Sequence, residues 1–278
     1  MNKVLVTGAG GYLGSHVVAS LRQHGHPVVG VARSETPQFE VCDLLDKSSL
    51  IKLLEKEKPD RVVHCAWETP RSLAEYNNTA ASERSLAMLD HLLMATDAPI
   101  LYVSSMTVYG TDHGSPKRRE EDAGQPESDY GQAKWEGEKL LAASRRAGFS
   151  VRLPGLFGGG RKSGLVWGLM RALQCGEAPV LPPAPLLWAA MDVRDAALSL
   201  AQLCEVPVET SKPVNIGYSD TYSVSRLVTL FEELTGQKTT YHIEHPDFAF
   251  DLTRARTLGV APNQSLRGAC LSLLKETL

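Results

Sequence analysis

A tyrosine and a lysine stand four residues apart in Tyr130-Gly131-Gln132-Ala133-Lys134, a spacing that puts a phenol and an ammonium on one face of a helix. The chemistry open to such a pair is proton transfer. A phenol ionises near pH 10, and lowering that by about three units takes roughly 4 kcal/mol of differential charge stabilisation, part of which an adjacent ammonium supplies. Alone, the pair also describes a surface helix with a Tyr-Lys contact. Its position adds weight, because it follows a β-rich run ending in Ser104-Ser105-Met106-Thr107, and the loops beyond the carboxyl ends of parallel strands are where such sheets bind ligands.

A second constellation opens the chain. Behind the apolar run Val4-Leu5-Val6, the stretch Thr7-Gly8-Ala9-Gly10-Gly11-Tyr12-Leu13-Gly14 carries Gly8, Gly11 and Gly14 at a spacing of three and leads into a helical segment, Ser15 to His24. A tight turn there requires glycine, the missing side chains admit a diphosphate to helix N–H groups without internal partners, and Gly14 lets the helix lie close to the sheet. The strand before and the helix after are the context that a dinucleotide-binding turn demands.

These residues need a scaffold, and the pattern supplies one. β-Rich runs at Lys3 to Thr7, Val28 to Ala32, Phe39 to Cys42, Arg61 to Ala66, Ile100 to Ser104 and Phe149 to Leu153 alternate with helical stretches at Asp46 to Lys58, Leu73 to Ala95 and Tyr130 to Ala147. That rhythm predicts a parallel sheet with helices on both faces. Gly158-Gly159-Gly160 breaks it. Helices near Leu165 to Gln174, Arg194 to Leu203 and Ser223 to Thr235 follow, with a proline-rich loop at Pro179 to Pro185, a strand at Val214 to Ile216 and closing helices near Leu252 and Leu266.

Composition bounds the function. With 278 residues, 43% hydrophobic, the chain can bury a large core, and its formal net charge of -3 leaves no basic field for nucleic acid or an anionic membrane. The run Lys117-Arg118-Arg119 is answered at once by Glu120-Glu121-Asp122, as in a solvated loop. The five cysteines, Cys42, Cys65, Cys175, Cys204 and Cys270, form no CxxC pair, and reduced thiols in a cytoplasmic protein fit best. No apolar segment has the length of a membrane span or the form of a leader. His242, His245 and Asp247 flank a proline in a loop, without zinc-site spacing, so no metal is expected. His64 and Cys65 read as core.

At this point the chain resembles the extended short-chain dehydrogenase/reductase family, which includes nucleotide-sugar 4-epimerases and 4-ketoreductases. The resemblance runs over nearly the whole length. It rests on TGAGGYLG at Thr7, CDLLD at Cys42, VVHCA at Val62, YVSSMTVYG at Tyr102, YGQAK at Tyr130, RLPGLFG at Arg152, MDVRDAA at Met191, VNIGYSDTYSV at Val214 and DLTRARTLG at Asp251. It implies an α/β fold: a Rossmann-type doubly wound parallel sheet over residues 1–157 and a small C-terminal α/β substrate lobe over 158–278, partly interwoven. It implies that Tyr130 exchanges a proton with the substrate, that Lys134 holds the nicotinamide ribose and depresses the phenol pKa, and that Ser105 hydrogen-bonds the reacting oxygen. Thr107 becomes a second hydroxyl in the pocket. The cofactor residues it implies are Gly8, Gly11, Tyr12, Leu13, Gly14, Asp43 beside the adenine, Leu44 against its ring, and Ala66, together with Tyr130 and Lys134. The family's asparagine aligns near Ser82, with Asn77 and Asn78 a turn upstream.

Two departures from the family pattern matter. Where NAD-preferring members end the second strand with an aspartate, this chain has Ala32 and Arg33; a guanidinium there favours NADP, with NAD as the alternative. The arginine that clamps a substrate diphosphate in many members is replaced by Leu186-Leu187-Trp188, which leaves Arg161, Lys162 and Arg254 as substitute cations and Trp188, with Trp167, Met170 and Leu187, as lining of an apolar pocket. The resulting expectation is an NADP(H)-dependent oxidoreductase or epimerase acting on the carbonyl or secondary alcohol of a small molecule, a keto-sugar first. Its alternatives are a reductase of a non-sugar ketone or aldehyde and a non-catalytic dinucleotide sensor. The resemblance also implies a homodimer built on the helices of Leu73 to Ala95 and Tyr130 to Ala147; Leu86, Leu89, Leu93, Ala133, Leu140 and Leu141 are candidates for its interface, some of which must instead face the sheet, and the competing reading makes all of them internal core.

Overall fold

The computed structural model describes residues 2–110, 117–182, 186–239 and 244–277. The first half runs β1 (Val4–Thr7), α1 (Tyr12–Gln23), β2 (Val28–Ala32), β3 (Glu40–Val41), α2 (Lys47–Glu57), β4 (Arg61–His64), α3 (Thr79–Ala95), β5 (Ile100–Ser105), β6 (Lys117–Arg118), α4 (Asp129–Ala143) and β7 (Gly148–Leu153). The second half runs β8 (Gly155–Phe157), α5 (Leu165–Cys175), β9 (Ala190–Asp192), α6 (Val193–Glu205), β10 (Ser211–Asn215), α7 (Val224–Thr235), β11 (Ala249–Phe250), α8 (Thr253–Thr257) and α9 (Leu266–Lys275). Among the described residues the strands form a seven-stranded sheet in the order β10-β7-β5-β4-β1-β2-β3, with two small pairs, β6-β11 and β8-β9.

Every pairing in the large sheet is parallel. Parallel strands are covered on both faces and therefore read as apolar runs, and β1 and β4 are buried throughout. The order reverses at β1, with β2 on one side and β4 on the other, which opens a crevice above the carboxyl ends of these strands. Helices α1 and α6 pack together on one face, and α2, α3 and α4 on the other. β10 joins the sheet beside β7, so the second half of the chain completes the first half's sheet.

Local chemistry sets the helix ends. Asp46 accepts hydrogen bonds from the Ser48 and Ser49 N–H groups to start α2, and Ser128 accepts one from Gly131 to start α4. The helix expected from Leu73 to Ala95 is broken: Leu73–Asn77 is a 3-10 turn, and Asn78 restarts the chain as α3 by accepting from the Ala81 N–H. An asparagine competes with the backbone for hydrogen bonds, which is why it interrupts a helical pattern and caps the next one. Leu89, Leu93, Ala133 and Leu141 are buried inside this single chain. That corrects their reading as interface residues: their apolar faces meet the sheet and each other, which leaves half-buried Leu86 and Leu140 of the expected set.

Candidate active site

Gly8 follows β1 with φ +66, and a Cβ added there would lie 2.8 Å from the Ala66 nitrogen, so the loops after β1 and β4 lie directly on each other. A Cβ on Gly14 would fall on the Gly8 carbonyl oxygen, which explains the third glycine: α1 touches the turn that starts it. Gly11 occupies the cap position of α1 with no side-chain cap, whereas side chains cap α2, α3, α4, α6, α7 and α9. The N–H groups of the first turn, Tyr12, Leu13 and Gly14, thus face an open cradle suited to the diphosphate of a dinucleotide. Leu13 packs on the core, and the Tyr12 hydroxyl donates to the Gly158 carbonyl at 2.8 Å, tying the glycine turn to the segment after β8.

The adenosine end is less uniform. Arg33 is exposed just beyond buried Ala32. Across the crevice Arg84 grips Glu68 through two hydrogen bonds of 2.8 and 2.6 Å; these hold the Glu68 carboxyl below its ordinary range, with the charges of Arg84 and Arg33 adding to the effect. Asp43 is exposed and accepts from the Leu45 N–H at 2.9 Å. Leu44 departs from expectation: its side chain is buried with Leu50, Leu53 and Leu54, so the core takes the surface that was assigned to an adenine ring. The Ala66 N–H donates to the Thr7 hydroxyl at 3.3 Å, and that hydroxyl meets His64 Nδ1 at 2.8 Å. Burial, then the charge of Lys134, pushes the His64 imidazole down to about 3, so it is a neutral core residue.

The residues expected to transfer the proton converge at the end of β5. Ser105 caps a 3-10 turn, Met106–Tyr109, by accepting from the Thr107 N–H at 3.2 Å and from the Thr107 hydroxyl at 3.0 Å. Its own hydroxyl hydrogen-bonds the Tyr130 phenol, which lowers the phenol pKa, but burial and the neighbouring Tyr76 outweigh that and raise it above the ordinary value. Tyr76 stands edge-on to Tyr130 at 5.4 Å between centroids. Lys134 is almost wholly buried; its Nζ donates to the Val103 carbonyl at 2.7 Å and lies 5.7 Å from the centre of the Tyr130 ring. Burial drives the Lys134 pKa well below that of a free lysine, against an upward pull from Cys65 and Glu138. A Cβ at Gly137 would strike the Tyr102 ring, 2.6 Å from Cζ, so this glycine lets α4 lie against β5 and carry Tyr130 and Lys134 to the strand end.

The second half of the chain holds the remaining candidates. The Arg161 guanidinium lies 5.1 Å from the centre of the Tyr12 ring and lowers the Tyr76 pKa by its charge, though burial raises it more. Arg161 also lines, with Lys162, Trp167, Arg171 and Glu276, a cavity of about 360 Å³. Trp188 is buried edge-on to Tyr222 at 6.2 Å, which moves it from pocket lining to core. Arg254 donates to the Pro213 carbonyl at 2.6 Å and pairs with Glu121 at 2.5 Å, so it ties α8 to β10 at the sheet edge and is not a free substrate cation. Asp247 is bound bidentately by Arg226; His242 and residues 183–185 of the proline-rich loop lie outside the described residues. Among the described residues no three His, Cys, Asp or Glu side chains gather as a metal site would, and no helix is long and apolar enough to cross a membrane.

Several supporting residues escaped the sequence reading. Glu138, one turn past Lys134, binds buried Arg152 through bonds of 2.9 and 2.7 Å and accepts from Ser104 at 2.5 Å. Arg152 also reaches the Tyr109 hydroxyl and the Glu120 carbonyl. Ser85 accepts from the Glu68 N–H at 3.0 Å, holding the loop after β4. Asn77, already named beside Ser82, accepts from the Asp129 N–H at 3.4 Å, and Thr79 donates to the Asp129 carboxylate at 2.6 Å, so the 3-10 turn and the start of α3 are both tied to the first turn of α4. For Glu138 the sequence held a hint, the charged pair at i and i+4 that it forms with Lys134.

Comparison with known proteins gives the family and the fold. The model of the NAD dependent epimerase/dehydratase family matches residues 4–230. The chain is 34% identical over 160 residues to the methionine adenosyltransferase 2 subunit beta of Bos taurus, over 56% of this chain and 47% of that one. It is 33% identical over 159 residues to the probable low-salt glycan biosynthesis reductase Agl14 of Haloferax volcanii, over 55% and 53%. The chain thus spans about half the length of the curated relatives it matches. Among solved structures, MoeE5 in complex with UDP-glucuronic acid and NAD superposes with a TM-score of 0.80 at 26% identity, covering 99% of this chain and 100% of that one. The UDP-glucose 4-epimerase of Thermotoga maritima with UDP-glucose gives 0.82 at 21% identity over 99% and 98%, a likeness of fold.

Proposed function

The chain belongs to the NAD-dependent epimerase/dehydratase family, and from that premise we propose that it is an NADP(H)-using reductase of a carbonyl compound, a keto-sugar carried on a nucleotide being the first candidate. The observation that carries this reading is the meeting of Ser105, Tyr130 and Lys134 at the end of β5 beside the uncapped glycine turn. When bound, the dinucleotide supplies the hydride. The chain's own residues do the rest. Gly8, Gly11 and Gly14 seat the diphosphate, Ser105 donates to the substrate oxygen, and Tyr130 gives up its proton as that oxygen gains negative charge. A phenol held in its protonated form by burial suits donation to a forming alkoxide, which is the stronger base. Lys134, buried beneath the ring, supplies the positive charge that steadies the phenolate left behind.

Arg33, free of an acid in its own strand end, supports NADP over NAD by offering a guanidinium to a 2′-phosphate. Arg161 and Lys162, lining a cavity next to the glycine loop, suit the phosphates of a nucleotide-linked substrate. The same site would serve a 4-epimerase if the hydride returned to the same carbon; the NADP preference proposed from Arg33 favours net reduction, because an epimerase regenerates its own cofactor. A homodimer through α3 and α4 and a reducing cytoplasm, which suits the five free thiols, complete the proposal. A second reading, a dinucleotide-binding subunit of a larger assembly, draws on the relative named as a subunit. NADPH oxidation in the presence of nucleoside-diphosphate 4-keto-sugars separates the two. Replacing Tyr130 with Phe should cut turnover by about 10²-fold or more while NADPH affinity changes little; turnover near that of the parent would remove Tyr130 from the mechanism.

A further inference from the structure

Lys134 is a buried lysine whose obvious charge partner is already taken. Glu138 lies one turn further along α4, but both its oxygens are bound to Arg152. The other titratable groups around the ammonium carry no charge at neutral pH: the imidazole of His64 at the end of β4, the thiol of Cys65, which burial pushes up to about 12, and the phenols of Tyr102 on β5 and Tyr130 on α4. What meets the ammonium is a carbonyl and aromatic faces. Nζ donates to Val103 at 2.7 Å and lies 3.6 Å from the centre of the Trp67 ring, with Tyr102 at 5.1 Å and Tyr130 at 5.7 Å. Trp67 is set against Tyr102 at 5.7 Å between centroids, and its indole nitrogen is buried with no hydrogen-bond partner among the described residues. No hydrogen bond of its own explains the orientation of this indole; its face is turned to the cation.

A cation within about 6 Å of an aromatic centroid is attracted by the ring's quadrupole, tryptophan most strongly, and the attraction grows as water is excluded. We propose that Trp67 is a positioning residue for Lys134, its indole face holding the ammonium against the Val103 carbonyl and beneath the Tyr130 ring. This rests on the reading in which Tyr130 and Lys134 act together. In that role Trp67 keeps a charge in a buried place where a carboxylate would have drawn the lysine away from the phenol.

The test follows the lysine itself. In protein labelled with ¹³C at lysine Cε, the Lys134 signal is assigned by its disappearance in Lys134→Met and is titrated with pH. Growth on 5-fluorotryptophan withdraws electron density from the indoles with little change of shape, and should lower the Lys134 midpoint by a few tenths of a pH unit. The same medium should leave the midpoint of Trp67→Phe unmoved, which assigns the effect to this ring. An unchanged midpoint in the fluorinated parent, or an equal shift in Trp67→Phe, would overturn the proposal. Absence of turnover in the parent protein bears on the proposed function alone, because the titration reads Trp67 and Lys134 without any substrate.

Discussion

Changing Glu138 to Gln removes one charge from a buried pair and leaves the other. Arg152 is 1% exposed and gives three of its hydrogen-bonding arms to Glu138, Tyr109 and Glu120. The neutral amide keeps the shape but presents an NH₂ group where the guanidinium needs an oxygen. Breaking a buried ion pair by neutralising one partner costs about 3–5 kcal/mol, because the remaining charge stays desolvated. For 278 residues the unfolding entropy near the midpoint is about 0.6 kcal/mol/K, so the melting temperature should fall by about 5–9 °C. Differential scanning calorimetry measures it. The double variant Glu138→Leu with Arg152→Met should recover most of the loss, since both charges then go together. A fall below about 2 °C in Glu138→Gln, or no recovery in the double variant, would refute the view that this pair holds β5, β7 and α4 together beneath the site.

Three further outcomes are expected. NADPH should bind at least tenfold more tightly than NADH, about 1.4 kcal/mol, and Arg33→Ala should erase most of that difference in calorimetric titrations; equal affinities in the parent would defeat the cofactor assignment. His64, held near 3 against an ordinary 6.5, binds a proton less readily folded than unfolded. Its contribution to stability is therefore complete above pH 6.5 and lost as pH falls from 6.5 toward 3; chemical-denaturation curves should show a flatter acid decline in His64→Asn, and identical declines would count against the burial of a neutral imidazole. Light scattering at micromolar concentration should give twice the chain mass of 30.2 kDa, and a stable monomer would end the dimer proposal.

The sequence by itself determined what depends on local spacing. Gly8, Gly11 and Gly14 behind an apolar run specify a turn that only glycine can make, and the alternation of β-rich and helical runs specifies a parallel sheet, because both signals are read over fewer than about twenty residues. The spacing of Tyr130 and Lys134 likewise fixes one helix face. Tertiary structure alone decided which apolar surfaces are spent. Trp188 has the character of a pocket residue, yet it is buried edge-on to Tyr222, far away in the chain. Arg254 has the charge of a substrate clamp and serves as a tie to Pro213, 41 residues away. Trp67 belongs to no spacing pattern; it matters because β4, β5 and α4 bring an indole, a carbonyl and an ammonium to one point. Such meetings depend on long-range register and on the close approach that Gly137 allows, and pairwise distances across a sheet leave no period in a sequence.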